Sequence, residues 1–245
     1  MYSYQKALRE EWLHSTASQH QRKLYLNPLV SGRDKASSVT SEAFTRLGLR
    51  QSWELVQNII GKNNYIIYFA LGYSIDESES EVKAYITHPY ISAAEIVQKH
   101  TQICPDASAY KIQQFLLIIT GGSHGPYTRK HLISYFAFKR RSPETPVRTV
   151  LFPLDSYTAS DEDTQEHVER YIEAIHTPGI YRERYRKVIE SVQHRPLTEG
   201  RGIHSWVSLK HKPGGKASNT YYLSPEYYRA LEQIKTPLTN GFKSS

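Results

Sequence analysis

The reading of the fold turns on residues 65–88: YIIYFALGY at 65–73, a polar acidic stretch, then VKAYITH at 82–88. The first segment is rich in Ile, Tyr and Phe and predicts a strand. Residues 76–80 turn the chain, and the second segment alternates apolar and polar residues as a returning strand. A helix follows. Ser92 and Glu95 have the spacing of a capping box, and residues 109–118 predict a second helix. The unit is therefore strand, strand, helix, helix.

The unit recurs in both directions. Residues 131–139 and 147–152 predict two strands around the turn signal Ser142-Pro143-Glu144. Ser160 then caps a helix whose Val168, Tyr171, Ile172 and Ile175 follow helical spacing, and Pro178-Gly179 ends it. A further helix carries Tyr181, Tyr185, Val188, Ile189 and Val192. Another strand pair spans residues 202–210 and 219–223 around Pro213-Gly214-Gly215, and Ser224-Pro225 opens a closing helix. Toward the start, residues 11–15 and 23–27 predict a hairpin, and residues 38–60 are helical with a break at Gly48. Four strand pairs joined by helices predict an α+β fold: one antiparallel sheet, curled toward a barrel, with the helices outside. The whole chain, 1–245, reads as a single domain.

Composition narrows the function classes. Thirty-one Lys and Arg against 24 Asp and Glu give a net charge of +7, which suits an anionic partner. The single cysteine, Cys104, leaves no disulfide framework and no multi-cysteine metal site. Neither a signal-peptide core nor an apolar run long enough to span a bilayer is present, so a cytoplasmic protein without membrane partners is expected. Tyrosine is over-represented, with 19 against 7 Phe and 3 Trp. A packed core alone does not favour so many hydroxyls, each of which needs a partner when buried.

The strand faces say where those tyrosines go. A period of two puts Lys23 and Tyr25 on one face, with Leu24 and Leu26 on the other. Lys83, Tyr85 and Thr87 share a face against Val82, Ala84 and Ile86. His204, Trp206, Ser208 and Lys210 share one against Val207 and Leu209. If the apolar faces meet the helices, ammonium groups, phenols and an indole line the lumen. Lysines neutralise a diphosphate, phenols donate hydrogen bonds to it, and aromatic faces stabilise a cation by about 0.5–2 kcal/mol each when desolvated. Any one Lys-x-Tyr is also what a solvated strand face with snorkelling lysines looks like. The repetition on successive strands is what argues for a chamber.

Several segments together resemble one family. Lys23-Leu24-Tyr25-Leu26-Asn27-Pro28 is similar to the Lys-x-Tyr-Leu-Asn-Pro segment of aromatic prenyltransferases of the dimethylallyltryptophan synthase family. Leu47-Gly48-Leu49 with Ser52-Trp53, Val82-Lys83-Ala84-Tyr85, Thr120-Gly121-Gly122, and Phe152-Pro153 through Tyr157 to Asp161 resemble further family segments in order. Ser205-Trp206-Val207-Ser208 followed by Tyr222-Leu223-Ser224-Pro225-Glu226-Tyr227 resembles the C-terminal signature, so the likeness runs from about Trp12 to Tyr228.

The resemblance implies the ABBA barrel, in which repeated αββα units enclose an active site in the lumen. It also implies metal-independent transfer of a dimethylallyl group from dimethylallyl diphosphate to an indole or other tryptophan-derived aromatic acceptor, without a cofactor, in secondary metabolism of the indole-alkaloid kind. By the same resemblance Lys23, Tyr25, Lys83, Tyr85 and Tyr222 hold the diphosphate. Trp206, with Tyr25 and Tyr85, shields the cation or forms the aromatic pocket.

The likeness covers the family's last four units. Its first, which carries the glutamate that holds the indole N–H and a phosphate-binding arginine, has no counterpart before Trp12, so the catalytic base is unassigned. Glu81 stands where the family's Arg-x-Lys-x-Tyr strand has arginine, and Leu151 where a tyrosine is usual. The alternative is a truncated, non-catalytic barrel, or one completed by a second chain, that binds a diphosphate or another chain.

Other signals carry less. Gly121-Gly122-Ser123-His124-Gly125 fits G-x-S-x-G, but a nucleophile elbow needs a strand before it, and a helix is predicted there. Asp161-Glu162-Asp163 fits a first helical turn better than a metal site. Arg182, Arg184, Arg186 and Lys187 fit a solvated helix face better than a nucleic-acid surface, so no nucleic acid is expected as a partner.

Overall fold

Among the described residues seven strands form one antiparallel sheet in strict chain order, β1-β2-β3-β4-β5-β6-β7. They are β1 (Arg22–Leu26), β2 (Tyr65–Tyr73), β3 (Glu81–His88), β4 (Leu132–Lys139), β5 (Ser142–Pro153), β6 (His204–His211) and β7 (Ala217–Leu223). The computed structural model describes residues 22–61, 63–74, 77–103 and 108–224. The expected strand at residues 11–15, the closing helix after Ser224 and Cys104 lie outside the described residues. Among the described residues the sheet is a curled, partial barrel with β1 and β7 as its outer strands.

Six helices cover one face: α1 (Arg33–Arg46), α2 (Arg50–Ile60), α3 (Ala93–Ile103), α4 (Ala109–Ile119), α5 (Asp161–Ala174) and α6 (Gly179–Val192). Their boundaries follow from local chemistry. Ser92 Oγ accepts from Glu95 N at 3.2 Å, and Ser92 N donates to Glu95 Oε2 at 2.8 Å, the reciprocal capping box ahead of α3. Ser160 Oγ accepts from Asp163 N at 3.1 Å at the start of α5. The expected break at Gly48 separates α1 from α2, where Gly48 takes φ +73°. The helical stretch begins at Arg33 rather than at residue 38.

The apolar strand faces meet these helices. Phe44 of α1 is fully buried, with ring centroids 5.5 Å from Trp53, 5.6 Å from Phe69 and 5.9 Å from Phe138. Val82, Ala84 and Ile86 of β3 join this cluster. A second cluster joins α3 to α6 with the other half of the sheet, through Ile96, Phe115, Val168, Ile189, Phe152 and Val207.

Two strand details depart from expectation. The chain reverses at Arg140-Arg141, and Ser142-Pro143-Glu144 belongs to β5. There the pairing slips between Ala137 and Lys139, an irregularity that spares Pro143 the ladder hydrogen bond it lacks the N–H to make. Ser52 Oγ donates to Pro143 O at 2.8 Å and ties the segment to α2. In β2 a bulge between Ile66 and Tyr68 shifts the register, so Tyr68 falls opposite Tyr85.

Candidate active site

Register alone orders the lumen. Residues paired across antiparallel neighbours point to the same side, so the uncovered face of the sheet reads as successive rows. At one end Lys23, Gly72, Glu81 and Lys139 form a row. Next come Tyr25, Ala70, Lys83, Ala137 and Val147. The central row is Tyr68, Tyr85, Tyr135, Thr149, Lys210 and Ser218. Thr87, Ile133, Leu151, Ser208 and Thr220 follow, and Pro153, Trp206 and Tyr222 close the far end. Lysines thus occupy the first three rows, phenols the second and third, and an indole with a phenol the far end.

The sequence-predicted residues fall in two groups. Tyr25, Lys83 and Tyr85 come together. The Tyr25 and Tyr85 ring centroids are 6.3 Å apart, and Lys83 Nζ forms an ion pair with Glu81 Oε1 at 2.8 Å. Lys23 is exposed at the edge of this group, and Tyr25 is about half exposed. Trp206 and Tyr222 are register partners on β6 and β7. One face of Trp206 is covered by Lys130 Nζ, 4.7 Å from the ring centroid, and Lys130 in turn pairs with Asp155 at 2.9 Å.

Residues not singled out as site residues in the sequence join them. Tyr135 stacks 4.9 Å from Tyr85 and lies 5.6 Å beneath Lys83 Nζ; Tyr68 meets Tyr85 edge-on at 6.4 Å. Lys210 adds a third ammonium. The period-two rule put Lys210 on the lumen face with Trp206, and applied to residues 132–139 it would also have selected Tyr135.

Electrostatics reflect this proximity. Burial lowers the Lys210 ammonium, and Lys83, Lys212 and Lys23 lower it further, with Glu81 opposing. Burial would also lower Lys83, but the Glu81 carboxylate holds it above its ordinary value, fully charged at neutral pH. Burial raises the Tyr85 phenol strongly, helped by Tyr25 and Tyr135. Burial raises Tyr135 too, against the pull of the Thr149 hydroxyl and of Lys83. Both phenols are therefore neutral donors rather than phenolates.

A second polar cluster lies on the helix side. Asp161 is fully buried at the start of α5. Its carboxylate accepts from Arg195 Nη2 at 2.6 Å, from the His204 backbone N–H at 3.0 Å and from His204 Nδ1 at 2.9 Å. Tyr185 Oη lies 2.7 Å from His204 Nε2. Burial would raise Asp161, but these donors bring it down to about 2. The cluster fastens α5 and α6 to the start of β6, away from the lumen, so His204, expected on the lumen face with Trp206, instead meets the helices, the strand being irregular between the two. Ser123, in a loop after α4, lacks the preceding strand of a nucleophile elbow. Among the described residues no group of His, Cys, Asp and Glu is placed to hold a metal ion. No described helix is long and apolar enough to cross a membrane.

No protein-family model matches the sequence. Solved structures do. The 6-dimethylallyltryptophan synthase from Micromonospora olivasterospora, in complex with DMASPP and Trp, superposes with a TM-score of 0.74 at 23% identity, over 86% of this chain and 60% of that one. The 5-dimethylallyltryptophan synthase from Streptomyces coelicolor, with the same ligands, gives 0.74 at 19% identity over 91% and 59%. AnaPT from Neosartorya fischeri gives 0.65 at 15% over 84% and 54%. The chain spans less than two thirds of the length of these enzymes. Its curled antiparallel sheet with helices on one face is, over that span, the ABBA fold of the dimethylallyltryptophan synthases.

Proposed function

We propose that the chain is an aromatic prenyltransferase acting on a prenyl diphosphate and an indole-type acceptor. The observation that carries this reading is the order of the lumen rows: Lys23 in the first, Lys83 with Tyr25 in the second, Lys210 with Tyr68, Tyr85 and Tyr135 in the third, and Trp206 with Tyr222 in the last. That order fits the parts of the reaction. The ammonium groups hold the diphosphate and stabilise its charge as the allylic C–O bond breaks. The phenol rings face the allyl cation and keep water from it. The acceptor ring lies toward Trp206 and Tyr222, its carbon attacks the cation to form the new C–C bond, and the displaced ring proton leaves to a base outside the assigned residues. Lysines here do the charge neutralisation that a divalent cation does in other diphosphate chemistry, so the proposed substitution is metal-independent.

The solved relatives with DMASPP and Trp support this choice of substrates, although a shared fold does not by itself carry an activity. Incubation of the purified chain with dimethylallyl diphosphate and L-tryptophan tests it. Prenylated tryptophan and free diphosphate are expected in equal amounts, and their absence together with no binding of inorganic diphosphate overturns the reading.

A second reading, diphosphate binding without turnover, is favoured by one observation. The sheet has two free edges among the described residues, so its lumen is open to water, which captures allyl cations. Diphosphate binding with no product selects this reading.

A further inference from the structure

The Lys83 ammonium, central to the proposed diphosphate site, already has a partner. Glu81 Oε1 lies 2.8 Å from Lys83 Nζ, and the two side chains are only 22% and 14% exposed. They stand two residues apart on β3, so they share a face and pair without any backbone rearrangement. The opposite position on β2 is Gly72, whose hydrogen leaves room for the Glu81 side chain; a Cβ there would lie 2.9 Å from Glu81 Cγ. The nearby Glu79 is engaged elsewhere, with Lys139 and Arg141 at the turn side of β4. Glu81 is thus the carboxylate paired with Lys83, and its field also reaches Lys210 and the Tyr85 and Tyr135 phenols.

Building on the diphosphate-binding reading above, we propose that Glu81 sets the affinity of the lumen for that anion by competing with it for Lys83. An incoming diphosphate must displace the carboxylate from the ammonium. It must then share a poorly solvated space with it, where like charges repel far more than in water. Lys23 and Lys210 bear no such partner among the described ion pairs, so a ligand oxygen meets them directly. Glu81 accordingly weakens any ligand in proportion to its use of Lys83.

Calorimetric titration with inorganic diphosphate at fixed salt tests this on the wild type, Glu81→Gln, Lys83→Met and the double variant. Glu81→Gln is expected to bind diphosphate at least tenfold more tightly than wild type, and this gain is expected to vanish when Lys83 is also Met. Equal or weaker binding by Glu81→Gln overturns the proposal while leaving the prenyltransferase reading standing. A gain of the same size with and without Lys83 also overturns it, because Glu81 would then act through its general field rather than by occupying the lysine. Folded proteins that show no diphosphate binding at all overturn the proposed function and this inference together. Should Glu81→Gln fail to fold, Gly72→Ala carries the same test: it keeps every charge, and its Cβ, 2.9 Å from Glu81 Cγ, forces the carboxylate side chain to shift, with tighter diphosphate binding expected and equal or weaker binding overturning the proposal.

Discussion

Lys23 on β1 and Lys210 on β6 lie five strand steps apart along the sheet, yet Lys23 depresses the Lys210 ammonium. A flat sheet at roughly 4.8 Å per strand would separate them by about 24 Å, beyond the ~8 Å over which charges act in physiological salt. The curl of the sheet brings them to one lumen. Lys210→Met is therefore expected to weaken diphosphate binding about tenfold, as loss of one charge-assisted hydrogen bond does. The salt dependence of binding should flatten with it. Titration calorimetry at two ionic strengths checks both, and unchanged affinity would place Lys210 outside the anion site.

Tyr85 stands at the centre of the phenol row, between Tyr25, Tyr68 and Tyr135. If its ring shields a cation, Tyr85→Phe keeps most turnover and Tyr85→Leu lowers it about tenfold, in line with a cation–π contribution near 1.4 kcal/mol. The Leu variant should also divert prenyl groups to water, read as dimethylallyl alcohol by mass spectrometry. Equal activity in Phe and Leu variants would show that the ring is not facing the reacting carbon.

Asp161 makes a structural prediction independent of function. Removing the carboxylate leaves the buried N–H groups around His204 without their acceptor and takes one partner from Arg195. Asp161→Ala should cost about 3–5 kcal/mol, a fall in Tm on the order of 10 °C for a chain of this size. Asp161→Asn, which keeps the shape and part of the hydrogen bonding, should cost less. Thermal unfolding followed by circular dichroism distinguishes them.

Acid should weaken the fold in a defined window. Burial lowers His88 to about 3, with Lys99 adding to the effect, and burial lowers His100 well below its usual value, helped by His88 and Arg148. Both are neutral in the fold and take up a proton more readily when unfolded. Their contribution is complete above about 6.5, and it is lost progressively as pH falls toward 3. Asp161, lowered to about 2, acts later, as pH falls below its ordinary 3.8. Unfolding free energy measured by urea titration should therefore fall between pH 6.5 and 4, and His88→Gln should flatten that slope.

Strand direction and face were readable because the apolar alternation of Val82, Ala84 and Ile86 is a local signal. The helix caps at Ser92 and Ser160 were readable for the same reason. The turn at residues 142–144 was misread because Pro143 looks like a chain reversal. Distant groups hold that segment extended: Ser52 from α2, and the pairing of Arg140 and Arg141 with Glu77 and Glu79. The bulge at Ile66 and Tyr68 has no sequence mark, so Tyr68 could not be placed in the lumen beforehand. Asp161 was legible as a first-turn carboxylate, but its partners lie 34–43 residues away in the chain, and only packing brings them to it.

The outer strand β1 carries a further consequence. Leu24 and Leu26 are 45% and 42% exposed, and among the described residues the strand is bonded on one side only. A strand edge flanked by two leucines is a template for a further strand, the chain's own or another molecule's. Concentrated solutions of the isolated polypeptide should be sticky through this seam. A lysine introduced at position 24 should keep them clear.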